Sequence, residues 1–233
     1  MDFSNNWNSH LRQINERIIN CTRCPRLKEY RDMVSVSKRL MYRDQHYWGR
    51  PVPSFGDGEA QTLIIGLAPA AHGGNRTGRM FTGDKSGDWL YGALFRNGFA
   101  NHPNSWQIND GLVTQGIYIT AAVHCAPPDN RPNKEEFEAC RSYLVEELLS
   151  LHHLSVVLAL GKIAFDSYLA AIKSFGTNIP SPKPKFGHGV QYKLPNGIRL
   201  FGSYHPSQRN TQTGRLTLPM FDSIFSSIRE VLP

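Results

Sequence analysis

The most informative stretch of this chain for chemistry is a glycine-rich loop at residues 66–84. It reads GLAPAAHGGNRTGRMFTGD and continues an apolar run that predicts a buried strand. Glycines lose the most backbone entropy on folding, so a long loop that contains many of them is costly to order and usually holds a site. The glycines allow the main chain to approach a ligand, and polar and aromatic side chains can converge on it. Those side chains are His72, Asn75, Arg76, Arg79, Phe81 and Asp84.

Four cysteines, Cys21, Cys24, Cys125 and Cys140, could form a second chemical centre. The spacing of the first two can place a pair of thiolates on one metal centre. Zinc sites more often consist of two short pairs, and the second pair here is too far apart for that, whereas a four-cysteine iron–sulfur cluster tolerates such spacing. A redox pair is a weaker interpretation, because Cys21 and Cys24 follow a predicted helix. The residues leave three alternatives: an iron–sulfur cluster, a zinc site, or buried thiols without a metal.

Alternating strand and helix patterns supply the framework for these residues. We predict helices at residues 8–20, 86–99, 134–152, 161–173 and 215–231, and strands at residues 62–66, 116–123, 156–160, 191–194 and 198–201. This order predicts an α/β fold, with three layers (α/β/α) around a central, mostly parallel sheet. Ligands in such folds sit beyond the carboxyl ends of the strands. The loops after Gly66, Val123 and Ser203 therefore qualify as parts of one site.

The composition narrows the class of protein. A chain of 233 residues fits one medium domain, and 40% apolar residues are enough for a core. The formal net charge of +7 favours a polyanionic partner such as nucleic acid. No apolar run approaches the roughly 20 residues needed to cross a bilayer, and residues 1–7 lack the basic and apolar parts of a signal peptide. We therefore expect no membrane partner and a cytoplasmic location, where thiols stay reduced.

Three segments together resemble a known family. They are the loop at residues 66–84, the sequence CAPPDNRP at residues 125–132, and YHPS at residues 204–207. In this order the chain resembles a family 5 uracil-DNA glycosylase from about residue 21 to about residue 218. The resemblance implies the uracil-DNA glycosylase fold and the removal of damaged bases from double-stranded DNA. It also implies a single domain over residues 1–233, with a 4Fe-4S cluster that ties the N-terminal segment down. The implied cluster ligands are Cys21, Cys24, Cys125 and Cys140.

The resemblance also implies roles for three residues. A glycosylase must take the target base out of the stack, hold it, and stabilise the negative charge that develops on it. Phe81 is expected to stack on the extruded base, and His205 to donate a hydrogen bond to the carbonyl oxygen of the leaving uracil. Asp84 is expected to orient the attacking water or to stabilise positive charge on the sugar. By themselves these residues also fit a core Phe, a buried or helix-capping His, and a helix N-cap.

Further residues complete the predicted pocket, and two positions bear on its selectivity. The predicted substrate-binding residues are Gly66, Ala68, His72, Asn75, Phe81 and Asn130. Where relatives in other families carry an acidic or amide residue after the strand glycine, this chain has Leu67, and Ala121 takes the place of an amide that reads uracil. A pocket with fewer fixed polar groups rejects fewer bases, so we expect activity on hypoxanthine as well as uracil. The loss at Leu67 also leaves an alternative, a non-catalytic iron–sulfur protein that binds nucleic acid.

Basic side chains in or beside the site loops predict the path of the DNA. The predicted DNA-binding residues are Arg76, Arg79, Arg209 and Arg215, with Lys85, Arg131 and Lys162 as weaker candidates. The segment at residues 207–216 resembles a loop that enters the minor groove, and Leu216 is the predicted wedge. No lysine in the three loops is placed like a nucleophile, which favours hydrolysis by water without strand cleavage. One copy is enough to excise one base, so we expect a monomer.

Overall fold

The structure is a computed structural model that describes residues 8–232. The prediction that residues 1–7 do not form a signal peptide lies outside the described residues. The strands are β1 (Phe55–Gly56), β2 (Thr62–Gly66), β3 (Ile117–Ala121), β4 (Val156–Leu160), β5 (Gln191–Lys193) and β6 (Arg199–Ser203). They form one six-stranded sheet in the order β1-β3-β2-β4-β6-β5. The four inner strands run parallel, and the short edge strands β1 and β5 are antiparallel to their neighbours.

Helices cover both faces of this sheet. They are α1 (Ser9–Ile19), α2 (Pro25–Ser37), α3 (Gly74–Thr77), α4 (Lys85–Arg96), α5 (Lys134–Ser150), α6 (Lys162–Ser174), α7 (Gln208–Gln212) and α8 (Leu218–Val231). Helices α1, α5 and α6 pack on one face, and α4 and α8 pack on the other. The predicted three-layer α/β/α fold with a mostly parallel sheet is confirmed. None of the helices in residues 8–232 has both the length and the apolar character of a membrane span.

The inner strands are mostly apolar because the sheet is buried on both faces. In β2, Leu63 and Ile65 belong to the core beneath α1, α5 and α6, whereas Ile64 belongs to the core beneath α4 and α8. Every residue of β2, β3 and β4 is buried. This double burial fixes the register of the strands, because a shift by one residue would exchange the two faces. The carboxyl ends of β2 and β3 are therefore held side by side, where Gly66 pairs with Ala121.

A buried polar network interrupts the core between α1, α5 and β3. The hydroxyl of Ser54 lies 2.5 Å from Oε1 of Glu147 and 2.8 Å from the hydroxyl of Thr120. The side chain of Asn15 bonds to both backbone polar groups of Ser54. Burial raises the pKa of Glu147 to about 7. This carboxyl is consequently held in a setting that favours its neutral form.

The differences from the predicted elements are local. Helix α8 begins at Leu218 rather than residue 215, because Thr217 caps it and Pro219 occupies its first turn. Helix α2 lies in a segment where no helix was predicted, because charges and aromatics are mixed there without a clear period. The short strand β1 was not among the predicted strands, and α3 interrupts the glycine-rich loop at residues 66–84. These short elements are set by tertiary contacts, which periodicity does not report.

Candidate active site

A wide cleft opens at the carboxyl ends of the parallel strands. It is lined by Gly66 at the end of β2, Ala121 at the end of β3, and His205, which follows β6. The glycine-rich loop, parts of residues 39–46 and residues 105–109 form its walls. The three loops that the sequence singles out thus meet at one edge of the sheet, as expected for a doubly wound fold.

Phe81 enters the cleft from a strained backbone. Its φ of 52° lies in the left-handed region, which residues other than glycine adopt at a cost. Two glycines make room for it, since a Cβ atom on Gly66 would lie 2.7 Å from Cζ of Phe81, and one on Gly87 would lie 1.8 Å from its carbonyl oxygen. The half-buried ring stacks with that of His205, with centroids 5.9 Å apart and planes at 29°. Packing on several sides therefore holds this aromatic surface in one orientation.

Asp84 begins α4 and faces the cleft. Its Oδ1 accepts a hydrogen bond of 3.0 Å from the backbone N–H of Gly87, so the residue is the N-cap of the helix. Its Oδ2 lies against Gly73, where an added Cβ would approach it to 2.1 Å. Burial raises the pKa of Asp84, and the N–H groups of the first helical turn oppose that rise. One carboxylate oxygen therefore caps the helix, and the other faces Gly73 in the cleft.

His205 contributes an uncharged imidazole. Its carbonyl oxygen accepts hydrogen bonds of 2.8 Å from the N–H of Ser207 and from Nδ2 of Asn210, which fix its backbone. No hydrogen bond to its ring nitrogens is made in the described part of the chain. Burial lowers the pKa of the ring to about 4, so it is neutral near pH 7. A neutral ring still carries one N–H that can be donated to a ligand.

Three of the remaining predicted pocket residues line the cleft and one does not. His72 lines it, and its Nδ1 lies 2.9 Å from the hydroxyl of Tyr47. Ala68 is half-buried in the wall, and Asn130 is exposed at the cleft with a φ of 54°. Asn75 does not line the cleft: it is fully buried, its Nδ2 bonds to the carbonyl of Ala71, and its Oδ1 has no hydrogen-bond partner within the described residues, so a contact with the base stays a prediction.

Arg79 is the clearest correction to the predicted DNA contacts. Its side chain is 2% exposed, and its guanidinium forms a bidentate pair with Asp110, at 2.8 and 2.6 Å. The same group bonds to the hydroxyls of Thr82 and Ser105. A buried and fully occupied guanidinium cannot reach a phosphate. Arg79 instead joins the glycine-rich loop to the loop at residues 101–113, whose place in the cleft wall the sequence did not reveal.

Arg76 lies in the cleft wall but is mostly engaged within the protein. Its guanidinium donates to the carbonyls of His72 and Gly83 and to the side chain of Gln45, and it lies 4.1 Å from the ring centroid of Tyr42. These bonds join the glycine-rich loop to the segment at residues 39–46. The sequence did not reveal that this segment forms a wall of the cleft. A mixture of charges and aromatics in that segment was its only signal. A DNA contact by Arg76 stays a prediction.

The segment after β6 presents basic side chains next to the cleft. Arg209 is exposed and lines it, and the exposed Arg215 stacks its guanidinium 4.5 Å from the ring centroid of Tyr204. Leu216, the predicted wedge, is 0% exposed and belongs to the core beneath α8, so that prediction is wrong. The weaker candidates are also exposed, and two of the three pair with a nearby carboxylate: Lys85 with Asp88, and Lys162 with Asp166. Arg131 has no such pair among residues 8–232.

The four cysteines surround one small pocket away from the cleft. Cys21 and Cys24 lie between α1 and α2, Cys125 follows β3, and Cys140 lies in α5. None of them forms a disulfide. As placed, no group of three or more His, Cys, Asp or Glu side chains in residues 8–232 has the geometry of a metal site.

The donor set around this pocket nevertheless fits an anionic cluster. The buried Arg31 donates from Nη1 to Sγ of Cys125 at 3.0 Å, and its Nε has no hydrogen-bond partner in the described structure. The nearest carboxylate oxygen, on Asp32, lies 3.7 Å from that atom. A buried guanidinium needs a negative partner, and thiolates bound to iron and sulfide provide one.

The fold and the cleft have counterparts among known proteins. The family model described as the uracil DNA glycosylase superfamily matches residues 53–229, which span the sheet and all three cleft loops. The chain therefore belongs to the uracil DNA glycosylase superfamily.

Its similarities extend to one branch of that superfamily. It is 50% identical over 220 residues to a type-5 uracil-DNA glycosylase of Mycobacterium tuberculosis, covering 94% of this chain and 81% of the relative. It is 50% identical over 201 residues to the type-5 enzyme of Thermus thermophilus, covering 86% and 89%. A type-4 enzyme of Pyrobaculum aerophilum is 33% identical over 199 residues, covering 84% and 83%. Within the superfamily the chain belongs to the type-5 family, which confirms the resemblance of its motifs.

Proposed function

We propose that this protein is a monofunctional DNA glycosylase that extrudes uracil from double-stranded DNA and removes it by hydrolysis. One observation carries the proposal: in a chain of the type-5 family, Phe81, Asp84 and His205 line the same cleft. An aromatic surface, a carboxylate and a neutral imidazole are the groups that base capture, water attack and departure of the base require. The products are the free base and an abasic site in an unbroken strand, which base excision repair then processes.

Capture of the base falls to Phe81. Extruding a nucleotide costs a few kcal/mol, and stacking of a base on an aromatic side chain contributes about 1–3 kcal/mol. The ring is already oriented by Gly66 and His205, so little further ordering is needed when a base arrives. The strained φ of Phe81 supports this role, because strain concentrates where a side chain must take a particular direction.

Departure of the base falls to His205. As the glycosidic bond lengthens, negative charge develops on the uracil carbonyl oxygens, and the N–H of a neutral imidazole can donate to one of them. A donor placed where charge develops contributes about 3–4 kcal/mol in comparable sites. The low pKa of the ring, about 4, supports a hydrogen-bond donor rather than a general acid.

Asp84 acts on the attacking water or on the sugar. Asp88 and Asp129 also line the cleft, but both are exposed and Asp88 pairs with Lys85. Asp84 is the half-buried carboxylate, and its Oδ2 is available to orient a water or to stabilise positive charge on the sugar. This assignment gives the site a carboxylate, which Leu67 cannot provide at the position where relatives in other families carry an acidic or amide residue.

We extend the proposed substrates to deaminated purines such as hypoxanthine. Leu67 and Ala121 line the cleft at positions where a carboxylate or amide would discriminate between bases. An apolar wall leaves few polar groups unpaired when a different base enters, so rejection is weak. Release of hypoxanthine from a duplex in which it is opposite thymine tests this extension, and release of uracil alone would contradict it.

The central experiment measures free base released from a uracil-containing duplex under single turnover. We expect release by the wild type, a loss of about 10²- to 10³-fold in His205→Ala, and a comparable loss in Asp84→Asn. His153→Ala serves as the matched control because that side chain is 63% exposed and does not line the cleft. The strand should break only after alkali treatment. Duplex binding without base release would instead favour the non-catalytic alternative, and direct nicking would exclude a monofunctional enzyme.

Electrostatic contacts to the phosphates are proposed for Arg209 and Arg215. Each removed phosphate contact should lower the slope of log affinity against log salt by about 1. Lys193→Ala is the control, since this exposed residue lies on the edge strand β5 and does not line the cleft. An unchanged slope in Arg209→Ala and Arg215→Ala would remove both residues from the DNA path. A monomer in the cytoplasm remains the prediction for assembly and location.

We further propose a 4Fe-4S cluster on Cys21, Cys24, Cys125 and Cys140. The support is that all four thiols, the chain's whole complement, face one pocket, and that Nε of the buried Arg31 has no hydrogen-bond partner within the described residues. The cluster would act structurally by joining the α1–α2 connection to the end of β3 and to α5. Each of the four cysteines would hold one corner of the cluster, and Arg31 would neutralise part of its negative charge.

Metal content tests this cofactor directly. Anaerobically purified protein should contain iron and acid-labile sulfide in equal amounts and show visible absorbance, and Cys140→Ser should lose them. Zinc without sulfide would establish the zinc alternative, and four titratable thiols without any metal would establish buried thiols. Ser142→Ala is the control, because its side chain lies beside the pocket and bonds to Arg23 but supplies no sulfur.

A further inference from the structure

The loop at residues 101–113 exposes apolar side chains at the cleft. Trp106 is 62% exposed and Ile108 is 46% exposed, and both line the same cleft as Phe81 and Asp84. Large apolar side chains exposed beside a site usually mark a surface that a partner covers. The catalytic roles proposed above use neither residue.

The loop is held in one shape by polar contacts to the buried side chain of Asp110. Both oxygens of Asp110 accept backbone N–H bonds, from Trp106 and Gln107 on one side and from Leu112 on the other, at 2.8 to 3.2 Å. The carboxylate is paired with Arg79, and hydrogen bonds hold its pKa near 2 despite burial. Trp106 therefore projects from a rigid support, which distinguishes it from a side chain on a mobile loop.

The same contacts fix the loop relative to Phe81. The N–H of Gly83 donates to the carbonyl of Ser105 at 3.0 Å, and the Ser105 hydroxyl bonds to Thr82. Trp106 directly follows Ser105, and Phe81 directly precedes Thr82. The two aromatic side chains thus extend from adjoining, mutually bonded pieces of backbone, so a nucleotide bound at one is near the other.

The chemistry of the loop selects the part of DNA that it can contact. Asp110 is its single Asp, Glu, Lys or Arg, and it is buried and neutralised by Arg79. No cation in the loop can bind a phosphate, and no exposed anion repels one. An exposed indole favours the flat face of a base, and an isoleucine favours a base or deoxyribose.

We infer that Trp106, supported by Ile108, packs on a base that neighbours the extruded nucleotide and holds the duplex open while Phe81 captures its target. This inference rests on the proposed glycosylase function. It assigns to Trp106 the role of the wedge that the sequence predicted for Leu216, which is buried and cannot take that role. Because the side chain is largely exposed, its removal leaves the fold intact.

Two measurements test the inference. Single-turnover release of uracil from a duplex should fall about ten-fold or more in Trp106→Ala and much less in Trp106→Phe, because phenylalanine preserves a stacking surface. Release from a flexible single strand should fall less, since there no stack has to be opened. The control is Phe175→Ala, an aromatic side chain 37% exposed at the end of α6 that does not line the cleft.

The second measurement does not depend on catalysis. Binding of a duplex that contains an abasic site should quench tryptophan fluorescence, and Trp106→Phe should remove most of that quenching. Rates and quenching equal to those of Phe175→Ala and the wild type would overturn the inference. Wild-type protein that releases no uracil would refute the proposed function, whereas the fluorescence measurement would still decide whether Trp106 contacts DNA.

Discussion

Replacing Asp110 by asparagine should destabilise this protein more than most single substitutions. The side chains of Asp110 and Arg79 are 3% and 2% exposed, and the variant leaves the guanidinium buried without an anion. Breaking a buried pair by removing one partner costs about 3–5 kcal/mol. An amide also has one acceptor oxygen in place of two, while three backbone N–H groups depend on the carboxylate. Because domains are stable by about 5–15 kcal/mol, the expected loss is a large share of the total.

Urea unfolding of the purified protein measures this loss, with an expected decrease in midpoint of about 1 M or more. Asp222→Asn is the matched control, because it breaks another bidentate arginine pair, with Arg96, whose side chains are 42% and 31% exposed. Such surface pairs contribute about 0–1 kcal/mol. The pKa of Asp110 is lowered to about 2, so the wild type keeps this contribution above the unfolded pKa of 3.8 and loses it as pH falls through about 2. Equal midpoints for the two variants would refute the view that this buried pair holds the loop.

Two further predictions concern Glu147 and the environment of Asp84. The pKa of Glu147 is raised by burial from 4.5 to about 7, so its neutral form favours the fold below pH 4.5 and that contribution is lost as pH rises through about 7. Glu147→Gln should remove this part of the pH dependence in urea midpoints, and an unchanged profile would contradict it. Gly73→Ala should reduce uracil release strongly, because the new Cβ would lie 2.1 Å from Oδ2 of Asp84. Gly92→Ala is the control, because its new Cβ would meet only the flexible end of Arg96. Equal activities of the two variants would count against a precisely placed Asp84.

The fold could be predicted because its pattern is strong at every level. Strands buried on both faces appear as short apolar runs, and β2 and β4 have the predicted bounds of residues 62–66 and 156–160. The glycine-rich loop indicated the position of the cleft, because a long loop that is costly to order usually holds a site. Edge strands and short helices such as β1 and α3 escaped prediction, because they form through contacts with distant segments rather than through their own periodicity.

The burial of individual side chains was harder to predict, because it depends on the partner that each side chain meets in the fold. Arg79 and Arg209 have the same chemistry in sequence, yet one is buried and the other exposed. The difference lies in Asp110, 31 residues after Arg79, and nothing local indicates that the two meet. The same holds for apolar residues, since Leu216 joined the core whereas Trp106 stayed exposed. Which leucine or tryptophan reaches solvent depends on the neighbouring elements, not on its type.

Asp84 illustrates how a structural and a functional interpretation of one residue can both hold. The sequence presents helix capping and catalysis as alternatives, but the geometry divides them between two oxygens: Oδ1 caps α4 and Oδ2 faces Gly73 in the cleft. The cap bond fixes the rotation of the carboxylate, and the absence of a side chain on Gly73 leaves the second oxygen uncovered. Asparagine caps helices about as well as aspartate, so Asp84→Asn should preserve stability while it removes the negative charge from the cleft. A variant that folds normally but releases base slowly would therefore separate the two roles, whereas equal losses of stability and activity would reduce Asp84 to a cap.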